Sequence, residues 1–169
     1  PGDGDWYLQP AANKKPSVLE PYSYEIGGKK ILMTTLATPI VQDGQFLGVV
    51  TVDFALQSLQ DRLSKRRPME EGYVRLLSPA GTIIADRDPA MVGTKADDAD
   101  TRAMLANTAN GKISFEQHHD AALDQDMVET YVPLKIGNAE QTFAFGVVVP
   151  RALLMQQARA LLWTIIVVG

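Results

Sequence analysis

The 169 residues contain no cysteine and only two histidines. Disulfides and thiolate metal sites are therefore excluded. The two imidazoles, His118 and His119, are adjacent. Neighbouring strand residues point to opposite faces, so the pair cannot chelate one ion and reads as a solvated strand end or loop. Basic runs are also missing. The net charge of -4 argues against nucleic acid and against an anionic membrane surface as partners. No Gly-x-Ser-x-Gly, phosphate loop or His-Glu-x-x-His occurs, so neither catalysis nor a cofactor is expected. Asp97, Asp98 and Asp100 come without the glycine and bidentate glutamate of a calcium loop. They read instead as the acidic start of a helix, and no metal site is expected.

What is present is a core. Hydrophobic residues make up 46% of the chain, the level of a globular protein. The pattern is strands followed by a helix, twice. In the first half Ser17 to Ile26 is followed by the hairpin signal Gly27-Gly28, then by a strand from Lys29 to Val41. A turn at Gln42-Asp43-Gly44 leads to Phe46 to Phe54, "FLGVVTVDF". A helix is predicted from Leu56 to Arg67, with Leu56, Leu59 and Leu63 on one face. In the second half strands are predicted at Tyr73 to Leu77, Thr82 to Ala85, Lys112 to Gln117, Met127 to Lys135 and Gln141 to Val149. A helix interrupts them from Thr101 to Asn110, and Pro150 opens a last one. The class is α+β, two antiparallel sheets each flanked by helices. The apolar stretch Leu161 to Gly169 reads as the start of a membrane-spanning helix, and the chain reads as a piece of a longer one at both ends.

Aromatic residues are few, 7% of the chain, and their placement is informative. Tyr22 and Tyr24 lie two apart on one strand and therefore share a face. Trp6 and Tyr7 sit side by side in a run of Gly, Asp and Pro unsuited to a core. Asp53 stands among Val49, Val50, Val52 and Phe54, which imply burial. A carboxylate there must be paired or hydrogen-bonded. It is either the N-cap of the following helix or a group facing a pocket and awaiting a cation. Tyrosine rings beside an aspartate suit an ammonium ligand, and stacking across the sheet accounts for the tyrosine spacing equally well.

These residues resemble a double-Cache extracytoplasmic sensor domain of the kind found in methyl-accepting chemotaxis receptors. The resemblance rests on Trp6-Tyr7, on "VLEPYSYEIGGKKILMTTLATPI" (Val18 to Ile40), on "DGQFLGVVTVDFALQSLQ" (Asp43 to Gln60) and on "GYVRLLSPAGTIIADRDPAMVGT" (Gly72 to Thr94). It implies two PAS-like modules: the C-terminal part of a membrane-distal module over residues 1–67, and a membrane-proximal module over 68–149. Residues 150–169 would be a juxtamembrane helix that enters the membrane and carries the signal. It also implies a periplasmic location in a bacterial inner-membrane protein, a small-molecule ligand and a homodimeric receptor. The output domain would be that of a chemoreceptor or, alternatively, of a histidine kinase or diguanylate cyclase; the reading from a different class is a fragment of an enzyme. By position, the family's pocket maps onto Trp6, Tyr7, Tyr22, Tyr24, Thr35 and Asp53, with the Trp-Tyr pair on a loop. In the amino-acid-binding branch an arginine two residues before the tryptophan grips the ligand carboxylate, and the aspartate matching Asp53 takes its amine. Here the arginine position is Gly4, and Tyr24 stands where that branch has a second aspartate. The resemblance thus keeps an ammonium end and lacks a carboxylate clamp.

Overall fold

The computed structural model describes residues 4–156. Helix α1 (Asp5–Asn13) precedes a four-stranded antiparallel sheet of β1 (Ser17–Val18), β2 (Tyr22–Ile26), β3 (Lys29–Gln42) and β4 (Gln45–Ala55). The long β3 is the spine, with β2 and β1 along one edge and β4 along the other. Both hairpin turns have two residues at positive φ, Gly27-Gly28 at 58° and 79° and Asp43-Gly44 at 50° and 76°. These are the mirror-image turns whose twist matches that of the strands. Helix α2 (Leu56–Leu63) follows, and the predicted Leu56, Leu59 and Leu63 stripe packs on Leu32 and Leu36 of β3 and on the second half of the chain.

That second half forms a five-stranded antiparallel sheet from β5 (Tyr73–Leu77), β6 (Ile83–Ala85), β7 (Ser114–Asp120), β8 (Gln125–Lys135) and β9 (Thr142–Pro150), in the order β6-β5-β9-β8-β7. Helix α3 (Ala99–Ala109) covers it, burying Met104 against Leu77, Ile83, Tyr131 and Ala144. Asp98 caps α3, accepting from the Thr101 amide at 2.8 Å and the Thr101 hydroxyl at 2.6 Å. Residues 151–156 are helical and follow β9 directly.

One core joins the two sheets: Val18 and Leu56 from the first half meet Leu76, Ile84, Ala85 and Phe143 from the second. Polar contacts tie the same seam. Gln60 of α2 is buried and clasps the Asp86 backbone both ways, giving to its carbonyl at 2.8 Å and accepting from its amide at 2.9 Å. Glu20 accepts from the Ala80 amide, and Gln141 from that of Val18.

The structure differs from the sequence reading in four places. The predicted strand Ser17 to Ile26 is two strands, broken at Glu20-Pro21, because proline has no N–H for the ladder. The segment carrying Trp6-Tyr7 is a helix rather than a loop, with Gly4 as its N-cap at φ 88° and Lys14 closing it in the left-handed region at φ 55°. Asp53 is exposed rather than buried, as are Val50, Val52 and Phe54. The reason is that β4 pairs only with β3 among the described residues. Nor is Asp53 the cap of α2, whose N-cap is Ala55 with no side-chain hydrogen bond. The apolar stretch Leu161 to Gly169 lies outside the described residues, among which no helix is long and apolar enough to cross a membrane.

Candidate ligand-binding site

On the α1 side of the first sheet lies a cavity of about 430 Å³, lined by Gly4, Trp6, Leu19, Tyr22, Ser23, Tyr24, Met33, Thr35, Thr51 and Asp53. Its polar row is set by strand register. Tyr22 faces Met33 across β2–β3, and Thr35 faces Asp53 across β3–β4. Residues two apart share a face, so Tyr22, Tyr24, Met33, Thr35 and Asp53 all stand on the cavity side. A bulge makes this possible. Near the turn Val41 faces Phe46, but the next pair is Ile40 with Gly48, which leaves Leu47 as the extra residue. Were Leu47 paired with Ile40 instead of bulged out, Asp53 would stand opposite Thr34 and point to the other face, since a one-residue slip reverses every side chain.

The Thr35 hydroxyl, 1% exposed, donates to Asp53 Oδ1 at 2.7 Å, and Tyr22 Oη lies 2.6 Å from Thr35 Oγ1. Leu19 and Met33, both buried, supply apolar floor. Trp6 and Tyr24 remain exposed at the rim. Tyr7 stands outside the lining. Its ring meets Trp6 edge-on at 5.8 Å and Phe46 at 5.3 Å, so it props Trp6 from behind. Five of the six residues singled out in the sequence thus come together, and Asp53 is the one charged residue of the lining. Gly4 lies in the lining in a left-handed conformation that side-chain-bearing residues rarely adopt.

Residues 2–61 match the family described as methyl-accepting chemotaxis protein-like, first PDC sensor domain. Over this segment the chain is similar to the first PDC sensor domain of methyl-accepting chemotaxis proteins. The methyl-accepting chemotaxis protein TlpQ of Pseudomonas aeruginosa is 35% identical over 123 residues, 68% of this chain and 17% of TlpQ. Among solved structures, the extracellular domain of mmHK1S-Z3, assigned as a histidine kinase, superposes with a TM-score of 0.77 at 25% identity, covering 93% of this chain and 57% of that one. The ligand-binding domain of the Pseudomonas fluorescens chemoreceptor CtaA, in complex with L-serine, has a TM-score of 0.62 at 25% identity, covering 87% and 60%. The chain therefore spans a small part of TlpQ and more than half of each solved sensor domain. The antiparallel sheets with flanking helices are those of a Cache-type sensor.

Beside the PDC module the structure holds a second charged cluster that sequence reasoning missed. Arg75, in the middle of β5, donates from Nε to Asp86 Oδ2 at 2.5 Å and from Nη1 to Glu129 Oε1 at 3.3 Å and Tyr131 Oη at 3.4 Å. Both carboxylate residues are 4% exposed. The guanidinium groups of Arg75 and Arg87 lie over the Tyr73 ring at 5.8 Å and 5.3 Å. Burial pushes the Tyr73 phenol up to about 12 and that of Tyr131 higher still, against the pull of Arg75. Burial also opposes the charge on Arg75, but Tyr131, Glu129, Asp86 and Tyr73 outweigh it and raise its pKa. The signal in the sequence was one arginine in the apolar strand "YVRLL". Its partners lie 11 and 54 residues away, which no local pattern reveals.

The His pair is on β7, where His118 lies 3.8 Å from Glu129 and His119 lies 3.2 Å from Asp126 and 3.5 Å from Asp124. Among the described residues no group of three or more His, Asp or Glu is arranged to hold a metal ion.

Proposed function

We propose that the chain is the periplasmic ligand-binding part of a dimeric transmembrane chemoreceptor, and that its ligand is a small organic amine without a carboxylate. Residues 1–67 are the C-terminal part of the membrane-distal, ligand-binding module in this reading, residues 68–149 the membrane-proximal module, and residues 150–169 the segment that carries the signal to the membrane. The site is Trp6, Tyr22, Tyr24, Thr35 and Asp53, with Tyr7 as the prop of Trp6. Two relatives give the class of protein: TlpQ is a methyl-accepting chemotaxis protein and CtaA a chemoreceptor. The histidine kinase assignment of mmHK1S-Z3 supports a kinase output as the second reading.

The observation that carries the ligand class is the charge of the lining. Among the described residues it holds one carboxylate and no arginine or lysine. An amino acid brings a carboxylate that needs a cationic or strongly donating partner. Gly4 occupies the position where the resembled amino-acid branch has its arginine, and its φ of 88° disfavours any side chain there. Loss of one charge-assisted hydrogen bond lowers affinity by about 1.5–3 kcal/mol, tenfold or more. An ammonium group instead meets Asp53 together with the faces of Trp6, Tyr22 and Tyr24. As a sensor the protein acts through the ligand's differential affinity for two conformations, so tight binding to both would produce no signal.

A thermal-shift panel of amines, α-amino acids and carboxylates tests this reading. Stabilisation confined to amines is expected, because a ligand that binds only the folded state stabilises it by RT ln(1 + [L]/Kd) and so raises the melting temperature. Stabilisation by α-amino acids above that by the matching amines would overturn it.

A further inference from the structure

The hydrogen bonds beneath Asp53 have a fixed direction. Thr35 carries a single hydroxyl hydrogen and gives it to Asp53 Oδ1 at 2.7 Å. Asp53 as a carboxylate only accepts. The hydrogen in the 2.6 Å contact between Tyr22 Oη and Thr35 Oγ1 must therefore come from Tyr22. The row runs Tyr22 to Thr35 to Asp53, and Thr35 is fixed in it by near-complete burial. With its hydrogen turned inward, the Tyr22 oxygen has only lone pairs left to offer. The same holds for Asp53, whose Oδ2 has no hydrogen bond among the described residues. The row faces a ligand as acceptors alone.

We infer that Tyr22 and Thr35 are positioning residues that make this cavity select its amine by the number of N–H groups, a primary ammonium over its N-methylated forms. The inference rests on the amine reading above and specifies it. Two forces compete here. The rings of Trp6, Tyr22 and Tyr24 attract any cation, a quaternary ammonium included. Charge-assisted hydrogen bonds to Asp53 Oδ2 and Tyr22 Oη need N–H groups, and each methyl removes one. A cage built for quaternary ammonium encloses it in aromatic faces. Here the lining adds to the three rings an ordered row of acceptors that only N–H groups can use. The ordered acceptors therefore decide.

Titration calorimetry of the protein with phenethylamine and its N-methyl, N,N-dimethyl and N,N,N-trimethyl derivatives tests the inference. Affinity is expected to fall at the second and third methyls, when fewer than two N–H groups remain for the two acceptors, and to drop about tenfold or more from the primary to the quaternary amine, the loss of at least one charge-assisted hydrogen bond. Thr35→Val removes the link in the row and should flatten the series, whereas Thr35→Ser restores the hydroxyl and should restore the slope. A general loss of structure at position 35 would weaken all four ligands alike in both variants. Equal or tighter binding of the quaternary amine to the unsubstituted protein would overturn the selectivity and leave the amine reading standing. Absence of binding by all four amines would overturn both.

Discussion

The molecule holds two carboxylate clusters, one in each sheet, and they are built in opposite ways. Around Arg75 two buried carboxylates share one guanidinium, each already bonded to it, with Tyr131 on the same nitrogen as Glu129. Around Asp53 one exposed carboxylate is held by a single buried hydroxyl, with no cation in the lining among the described residues. The first cluster spends its hydrogen-bonding capacity on the protein. The second keeps capacity in hand. Buried ion pairs are weak evidence for net stability, but they are expensive to break. A lone carboxylate on an aromatic-lined cavity does little for the fold and has most to gain from a ligand. In the proposed function this contrast separates the structural charges around Arg75 from the ligand site around Asp53.

The difference can be probed from the Arg75 side first. Arg75→Leu leaves Asp86 and Glu129 buried without their cation, and a loss of about 3–5 kcal/mol is expected in urea unfolding monitored by circular dichroism. Adding Asp86→Asn and Glu129→Gln should recover much of that loss. A single-variant loss below about 1 kcal/mol would mean that water or nearby groups already carry these charges.

A much smaller effect is expected at the edge of the same cluster. Loss of hydration, followed by repulsion from Glu129, Asp100 and Asp98, raises the pKa of Glu116, with His118 acting the other way. The folded state therefore holds the Glu116 proton more tightly than the unfolded chain. The favourable contribution is present below the ordinary carboxylate range and is lost as pH rises through the raised value. Glu116→Gln should stabilise the protein at neutral pH by no more than about 0.5 kcal/mol, since the group is only partly buried and solvent screens it. The gain should vanish in acid. A gain that persists there would assign the effect to packing rather than charge.

How far the sequence reveals this arrangement depends on the range of the interaction. The β2–β3–β4 meander follows from Gly27-Gly28 and Asp43-Gly44, and the buried stripe of α2 from the spacing of Leu56, Leu59 and Leu63. The shared face of Tyr22 and Tyr24 follows from strand alternation. Thr35 and Asp53 meet only because Leu47 is an extra residue in β4. A bulge has no reliable local sequence signal, so the pairing came from the family resemblance and not from counting. The helical state of Trp6 and Tyr7 was hidden by Pro10, which lies inside the helix between the left-handed Gly4 and Lys14. The exposure of Asp53 was misread because Val50, Val52 and Phe54 look like core, yet lie on an edge strand. Arg75, Asp86 and Glu129 stayed invisible because long-range pairing leaves no periodic trace.

The central claim is that Asp53 is the ligand's charge partner. Titration calorimetry of the unsubstituted protein and of Asp53→Asn with phenethylamine tests it most directly. The substitution keeps the shape and an acceptor for Thr35 but removes the charge. It should weaken the amine tenfold or more, by about 1.5–3 kcal/mol, while leaving the melting temperature of the ligand-free protein nearly unchanged. Amine affinity that survives Asp53→Asn intact would contradict the account.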